Sequence, residues 1–492
     1  MSNDYRRGRT AGPRKWHRSS AAVRFRGFAV GAVIVSVVLA ACTPGSSESP
    51  TPGQAASKPV STDLGSDPVT LRVETDNSGS NKASLEELGA AFQKKYPNVT
   101  VDIITEQFTV LQQNGPRIIS TPDTPDLIRF PTLGNTVKDG LLANLDPYAA
   151  AYGWDKFPAT QLNQWRVSAD GSRRGSGSLY GMGLSFSLTG TYYNKEEAAA
   201  IGMTTPPATV ADFEALLAKA KAAGKVPLLS SGQDGNLFLI FQALMLSEGA
   251  KEQLSDWVFN EPGATIDTPE ALDAATTLVE WTDAGYLPSD VNAINNTEAV
   301  ARFNSGDAVF IYDGNWNTAT YNKEMGENVG FFLLPPSSSG GKSSSMSDPF
   351  NYVIPAKAAN KDAAAAFLNF AYTNEGRAIM VETTGQVPGG PADADLPTTG
   401  AGPVIQDTLT AFQQLNTDDG IAPYIGNATA SIYTDTIIPQ FQLLVAGKVS
   451  PADFVATIYQ LMGIDPHRTV QDRTGRPTPI AHGGEPVMDV IV

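Results

Sequence analysis

From residue 69 onward, apolar and polar positions alternate. Val69, Leu71 and Val73 are separated by single polar residues, the period of a half-buried strand. Asp76-Asn77-Ser78-Gly79-Ser80 follows and supplies loop and capping chemistry. Leu85, Leu88 and Phe92 then recur at helical spacing until Tyr96-Pro97 ends the helix. Val99, Val101 and Ile103 mark a second strand. Leu127-Ile128-Arg129-Phe130, between Pro125-Asp126 and Pro131, marks a third. Strands alternating with helices predict an α/β fold with a mainly parallel sheet covered on both faces. Ligands are then expected at the C-terminal ends of the strands.

The start of the chain has a different pattern. Residues 1–26 carry eight Arg and Lys against the single acid Asp4, and an uncharged stretch from Gly27 to Ala41 follows. This is the layout of a secretory signal peptide, expected over residues 1–41. The apolar run is too short to span a bilayer comfortably, which takes about 20 apolar residues. It closes in Leu39-Ala40-Ala41-Cys42, which resembles the lipobox of bacterial lipoproteins and makes Cys42 the expected lipid-attachment residue. Cys42 is the only cysteine, so no disulfide framework exists. Residues 42–67 are mostly Ser, Pro, Gly, Thr and Ala, a composition that does not repay the entropy of ordering and reads as a flexible tether.

Charge and histidine narrow the chemistry. After Ala41 there remain 27 basic and 50 acidic residues, a net charge of −23, which argues against a nucleic-acid partner. His17, His467 and His482 are the only histidines, so the body from Cys42 to Pro466 cannot hold a Ser-His-Asp or Cys-His arrangement or a His-rich zinc site. Carboxylate-only chemistry, as in glycosidases, stays open.

The second quarter brings an ordered series of motifs: Tyr180-Gly181-Met182-Gly183, Tyr192-Tyr193-Asn194-Lys195, and Pro206-Pro207-Ala208-Thr209 leading to Asp212-Phe213. It continues with Phe303-Asn304-Ser305-Gly306-Asp307, Asp313-Gly314-Asn315-Trp316, Gly330-Phe331-Phe332-Leu333-Leu334-Pro335-Pro336 and Gly385-Gln386-Val387-Pro388. The series resembles the family 1 extracellular solute-binding proteins, the maltose-binding-protein-like receptors of ABC importers, over about residues 68–460. The resemblance implies a two-lobed periplasmic-binding-protein-like fold with a ligand cleft between the lobes. Lobe one is expected at 68–186 and 346–392, lobe two at 187–340 and 405–460. Hinge candidates are Phe186–Gly190 and the Ser/Gly-rich run Ser337–Ser345, the latter equally readable as a solvated loop. The implied function is capture of a mono- or oligosaccharide by a monomeric lipoprotein on the outer face of the cell membrane. Delivery would be to ABC permease subunits, with no cofactor, metal or catalytic residue.

A sugar site needs flat aromatic faces and polar groups that pair buried hydroxyls. Trp316 is the leading stacking candidate on the resemblance, with a core position as the alternative, and Asp313 accompanies it in the same motif. Phe130 resembles a first-lobe stacker, or is simple packing. Glu74 and Asn77 sit at the end of the first strand, where turn and cap chemistry also explains them. Arg129 offers a bidentate donor or a partner for a carboxylate. Asp348 and Phe350 follow the second crossover, and Asn236, with Asp234, lies in a segment that a plain turn explains equally well.

Residues 461–492 depart from the family pattern. Leu461-Met462-Gly463-Ile464-Asp465-Pro466-His467 and the Gly/Pro-rich stretch after it resemble the closing segment of some secreted sulfatase-like proteins, yet carry no catalytic constellation. The alternative function is a surface-anchored glycan hydrolase using paired carboxylates. An adhesion scaffold would show internal repeats, and none is visible.

Overall fold

The computed structural model describes residues 60–461, apart from 77, 78, 131, 132, 134, 392–400, 430 and 431, together with 469–471 and 477–479. The chain separates into Met1–Lys58 and Pro59–Val492, and only the second contains described residues. The signal peptide and Cys42 therefore lie outside them. The last part of the expected tether does not: Val60 and Leu64 pack against the core of the first lobe, and the Ser61 amide donates to Asp362 at 3.3 Å. Two apolar side chains are enough to dock this stretch, so the ordered body begins before residue 68.

The first half of the body supplies β1 (Val69–Asp76), β2 (Val99–Glu106), β3 (Leu127–Arg129) and the short pair β4 (Arg166–Val167) and β5 (Ser178–Leu179). Then come β6 (Met182–Phe186), β7 (Thr189–Asn194), β8 (Val226–Leu229), β9 (Ala308–Gly314) and β10 (Val329–Phe332). The chain continues with β11 (Ser345–Met346), β12 (Pro349–Val353), β13 (Val387–Pro388) and β14 (Ile421–Ala422). A six-stranded sheet runs β13-β6-β12-β3-β1-β2 and a four-stranded sheet runs β10-β7-β9-β8.

In the first sheet β1 pairs in parallel with β2 and β3, as strand–helix alternation predicted. β12 and β13 return antiparallel beside β3 and β6, so the sheet is mixed. The helix Gly79–Lys95 covers it with Leu85, Leu88 and Phe92, all essentially without solvent exposure. Burial of each contributes roughly 1.5–3 kcal/mol relative to exposure. In the second sheet β7 lies antiparallel to β9 and β10, and β8 parallel to β9.

Each sheet has its own apolar cluster. One joins residues from Leu71 to Leu184 with Tyr352 to Met380; the other runs from Ala198 to Met346 and from Ala422 to Ile458. These are two lobes. Met346, expected in lobe one, packs in the core of lobe two, where β11 pairs with β14. The helix Pro403–Asp418 contributes to a third cluster that joins Phe186, Val381 and Val387 to Tyr192, Tyr321 and Phe331.

The chain crosses between the sheets with only Ser187 and Leu188 separating β6 from β7. Asn315 clamps that crossing: its side chain accepts from Leu188 N at 3.0 Å and donates to Phe186 O at 3.0 Å, and its own amide donates to Leu188 O at 2.9 Å. The return crossing runs alongside, with the amide and hydroxyl of Ser187 donating to Asp348 O at 2.8 and 2.9 Å. Of the run Ser337–Ser345, residues 338–342 are exposed, while Ser345 is buried against Thr189, to whose carbonyl its hydroxyl donates at 2.7 Å. In the tail, Thr469–Gln471 pairs antiparallel with Pro477–Pro479; residues 462–468, 472–476 and 480–492 are outside the described set.

Candidate functional site

A cleft of about 810 Å³ lies between the lobes, floored by the crossing residues Ser187 and Asp348. Its volume falls within the range of small-molecule sites, about 300–1,000 Å³.

Lobe one contributes an ionic wall. Asp76 ends β1, and its carboxylate accepts from Asn81 Nδ2 at 2.6 Å and from Arg129 Nε at 3.3 Å. Arg129 ends β3, so both groups stand at the C-terminal ends of parallel strands. Arg129 Nη1 also donates to Asn351 Oδ1 at 3.1 Å, and its guanidinium lies 4.8 Å from the Phe350 ring and 5.9 Å from the Phe108 ring. Asp76, Asn81 and Arg129 are each 5% exposed or less, yet all line the cleft. Their facing atoms are thus fixed before any ligand arrives. Behind them Gln386 Nε2 donates to Asn81 Oδ1 at 3.3 Å and Ser185 Oγ donates to Gln386 Oε1 at 2.8 Å.

Lobe two contributes amides and rings. Trp316, Asn317, Asn236, Asn296, Thr297, Tyr424 and Tyr433 line the cleft. Trp316 is half-buried and packs at the edge of the lobe-two core. Its ring folds back over Gly314, where an added Cβ would lie 2.1 Å from the indole; this close approach is what the glycine in Asp313-Gly314-Asn315-Trp316 permits. Tyr424 and Tyr433 have ring centroids 6.2 Å apart and both meet Phe238 edge-on. Phe238 belongs to the helix Leu237–Ser247, nearly every residue of which is buried, the pattern of a helix apolar all round. The buried Gln242 of that helix donates to Pro423 O at 2.7 Å and accepts from Ile425 N at 3.3 Å, which holds Tyr424 between them at the cleft.

Asp313 stands one layer behind this wall. It is fully buried and accepts from Tyr321 OH at 2.5 Å, Asn317 Nδ2 at 2.7 Å and Asn296 Nδ2 at 3.2 Å. Burial raises its carboxyl pKa above the ordinary value, and the Tyr321 hydroxyl and the Asn317 amide pull it back. Its action on the cleft passes through Asn296 and Asn317, which line the cavity. Asp348, by contrast, lines the cleft itself and accepts from Asn427 Nδ2 at 2.7 Å. Burial pushes its carboxyl up to about 7 against the opposing charges of Arg129 and Arg174 and the Asn427 hydrogen bond.

The structure therefore brings Trp316, Arg129, Asp348, Phe350, Asn236 and Asp234 to one cavity. Three candidates are placed elsewhere. Phe130 is 1% exposed and packs in the lobe-one core, with its ring against Gly115 of the helix Phe108–Ser120. Strand geometry explains this: Arg129 reaches the cleft, and its neighbour projects to the other side. Glu74 lies two residues before the strand end, off the cleft wall, where burial and Glu106 raise its carboxyl. Asp313 supports the wall rather than forming it. Asn77 is outside the described residues. Sequence reasoning missed Asp76, Asn81, Phe108, Asn296, Asn317, Tyr424 and Tyr433. The strand-end rule pointed at Asp76 and Phe108, which follow or close β1 and β2, whereas no local signal marked Tyr424 or Tyr433.

A family model described as "Bacterial extracellular solute-binding protein" matches residues 76–378. A relative from Mesorhizobium japonicum, named "Probable sugar-binding periplasmic protein", is 29% identical over 191 residues, which is 37% of this chain and 43% of the relative. That match thus spans less than half of the relative's length. Among solved structures, "Chitin oligosaccharide binding protein" gives a TM-score of 0.66 at 22% identity over 81% of this chain and 98% of that one. "Maltose bound T. maritima MalE3" gives 0.64 at 16% identity over 80% of this chain and 99% of that one. At these identities the likeness establishes the two-lobed α/β fold.

Proposed function

Because this chain belongs to the bacterial extracellular solute-binding proteins, we propose that it is the substrate-binding lipoprotein of an ABC importer, taking a mono- or oligosaccharide into its interlobe cleft. The observation that carries this reading is the composition of the two walls. Trp316, Tyr424 and Tyr433 offer flat faces for the C–H surface of a sugar ring, beside the amides of Asn236, Asn296 and Asn317 and the ionic group of Asp76 and Arg129, which can pair hydroxyls. The names of the structural neighbours, a chitin-oligosaccharide binder and a maltose-bound protein, support the same ligand class. Both lobes contribute, so ligand contacts favour the closed arrangement in proportion to its differential affinity. The closed form then docks on the permease, and no catalytic step is involved.

The test is titration of the mature protein with a panel of mono- and oligosaccharides by calorimetry and thermal unfolding. A cognate sugar at 100 times its dissociation constant adds about 2.7 kcal/mol to apparent stability. A panel in which no saccharide binds, or in which an oligosaccharide is hydrolysed, overturns the reading. Anchoring through Cys42 is part of the proposal, resting on the Leu39-Ala40-Ala41-Cys42 stretch. Cys42→Ser is expected to release a folded protein from the membrane fraction, and retention of the variant after signal cleavage refutes the anchor.

A further inference from the structure

The hairpin formed by β4 and β5 is rooted in lobe one, where Leu162, Trp165, Val167 and Leu179 belong to the core. Its tip, residues 168–177, reaches across to lobe two. Arg174 N donates to Phe259 O at 3.0 Å, Asn260 Nδ2 donates to Ser172 O at 2.8 Å, and Arg173 pairs with Glu261. Gly171, Gly175 and Gly177 bend the tip with φ of 74°, 81° and 90°, and an added Cβ at Gly175 would lie 3.0 Å from the Phe259 ring.

Arg174 sits at the centre of this crossing. Its guanidinium lies 5.8 Å from the ring of Trp165 in lobe one and 5.9 Å from the ring of Phe259 in lobe two. Nη2 donates to Gln164 O at 2.8 Å, and Nη1 donates to Asn427 O. The Asn427 side chain in turn donates to Asp348 Oδ1 at 2.7 Å, and Asp348 lines the ligand cleft. One chain of hydrogen bonds thus runs from the strap between the lobes to a cavity carboxylate.

We infer that Arg174 is a positioning residue that couples the docking of the strap on lobe two to the Asp348 carboxylate in the cleft. Strap and cleft then respond together: movement of lobe two away from the tip takes Asn427 from Arg174 and loosens its hold on Asp348, and a ligand that engages Asp348 favours the docked strap. The other titratable groups facing this carboxylate are Arg129 from β3 and Tyr424 from the segment after β14. Arg129 is anchored to Asp76 within lobe one, apart from the strap's contacts with lobe two.

The inference rests on the cleft being the ligand site, but its test uses the ligand-free protein. The carboxyl carbon of Asp348 is followed by NMR through a pH titration, its signal assigned by its loss in Asp348→Asn. Wild type is expected to titrate near neutrality. Arg174→Gln removes a nearby cation and Asn427→Ala removes the donor, so both move the midpoint upward. Arg173→Ala, which breaks only the partly exposed ion pair with Glu261, leaves it in place. Small-angle scattering is expected to show a larger radius of gyration for Arg174→Gln than for Arg173→Ala. Should Arg174→Gln unfold, Asn427→Ala carries the test. A folded variant whose Asp348 midpoint and radius match those of Arg173→Ala overturns the coupling. That outcome alongside a saccharide that still binds wild type defeats only this inference; a shifted midpoint with no saccharide binding defeats only the ligand assignment.

Discussion

Asp76 in lobe one and Asp313 in lobe two are both carboxylates removed from water beside the same cavity, but they are stabilised differently. Asp76 faces a buried cation, Arg129, whose side chain is only 6% exposed. Asp313 has neutral donors instead: Tyr321, Asn317 and Asn296. An ion pair taken out of water offsets its desolvation only while both partners are present. A carboxylate held by neutral donors spreads its charge over dipoles, and in doing so orients the amides that line the cleft. Lobe one thus sets a buried ion pair on the cleft wall, whereas the buried Asp313 of lobe two stands one layer behind oriented amides and aromatic rings.

The largest effect is expected where one buried charge faces another. Arg129→Met leaves Asp76 buried without its cation and is expected to cost about 3–5 kcal/mol of folding stability in urea unfolding. Asp76→Leu combined with Arg129→Met removes both charges and recovers much of the loss. A double variant no more stable than the single one contradicts an ion-pair account of this wall.

Trp316→Ala tests the aromatic part of lobe two. Loss of a stacking face is expected to weaken saccharide binding by about 2 kcal/mol, roughly thirty-fold in dissociation constant. Because Trp316 is half-buried at the core edge, its loss affects ligand-free stability less than the 3–5 kcal/mol typical of a core aromatic. Unchanged affinity in a folded variant removes Trp316 from the site.

Asp313→Asn is the mildest of the three. It keeps the shape but replaces an acceptor oxygen with a donor facing donors, at an expected cost of about 1–3 kcal/mol in stability. Affinity falls with it, since one of the two oxygens that hold Asn296 and Asn317 is lost. An affinity that stays at the wild-type level while stability drops shows that the amides hold their orientation without it.

Local pattern carried a large part of the architecture. The alternation of Val69, Leu71 and Val73 and the helical spacing of Leu85, Leu88 and Phe92 correspond to β1 and the helix that covers it, because burying one face of a strand or helix imposes that period on the residues themselves. Arg129 ends β3 and lines the cleft, in keeping with the expectation that ligands meet strand ends. Adjacent positions such as Arg129 and Phe130 share a neighbourhood but not a direction, and only the phase of β3 within the sheet sent the cation to the cleft and the ring into the core. Asp313 and Trp316 share a motif in the same way, and the 3-10 turn Asn315–Asn317 that follows β9 separated their roles. Tyr424 reaches the cleft because Gln242, more than 180 residues earlier, ties down the segment on either side of it. Such a pairing has no local signature: the hydrogen bonds that position the ring exist only once two distant stretches of chain have packed together, so the tertiary structure alone decides it.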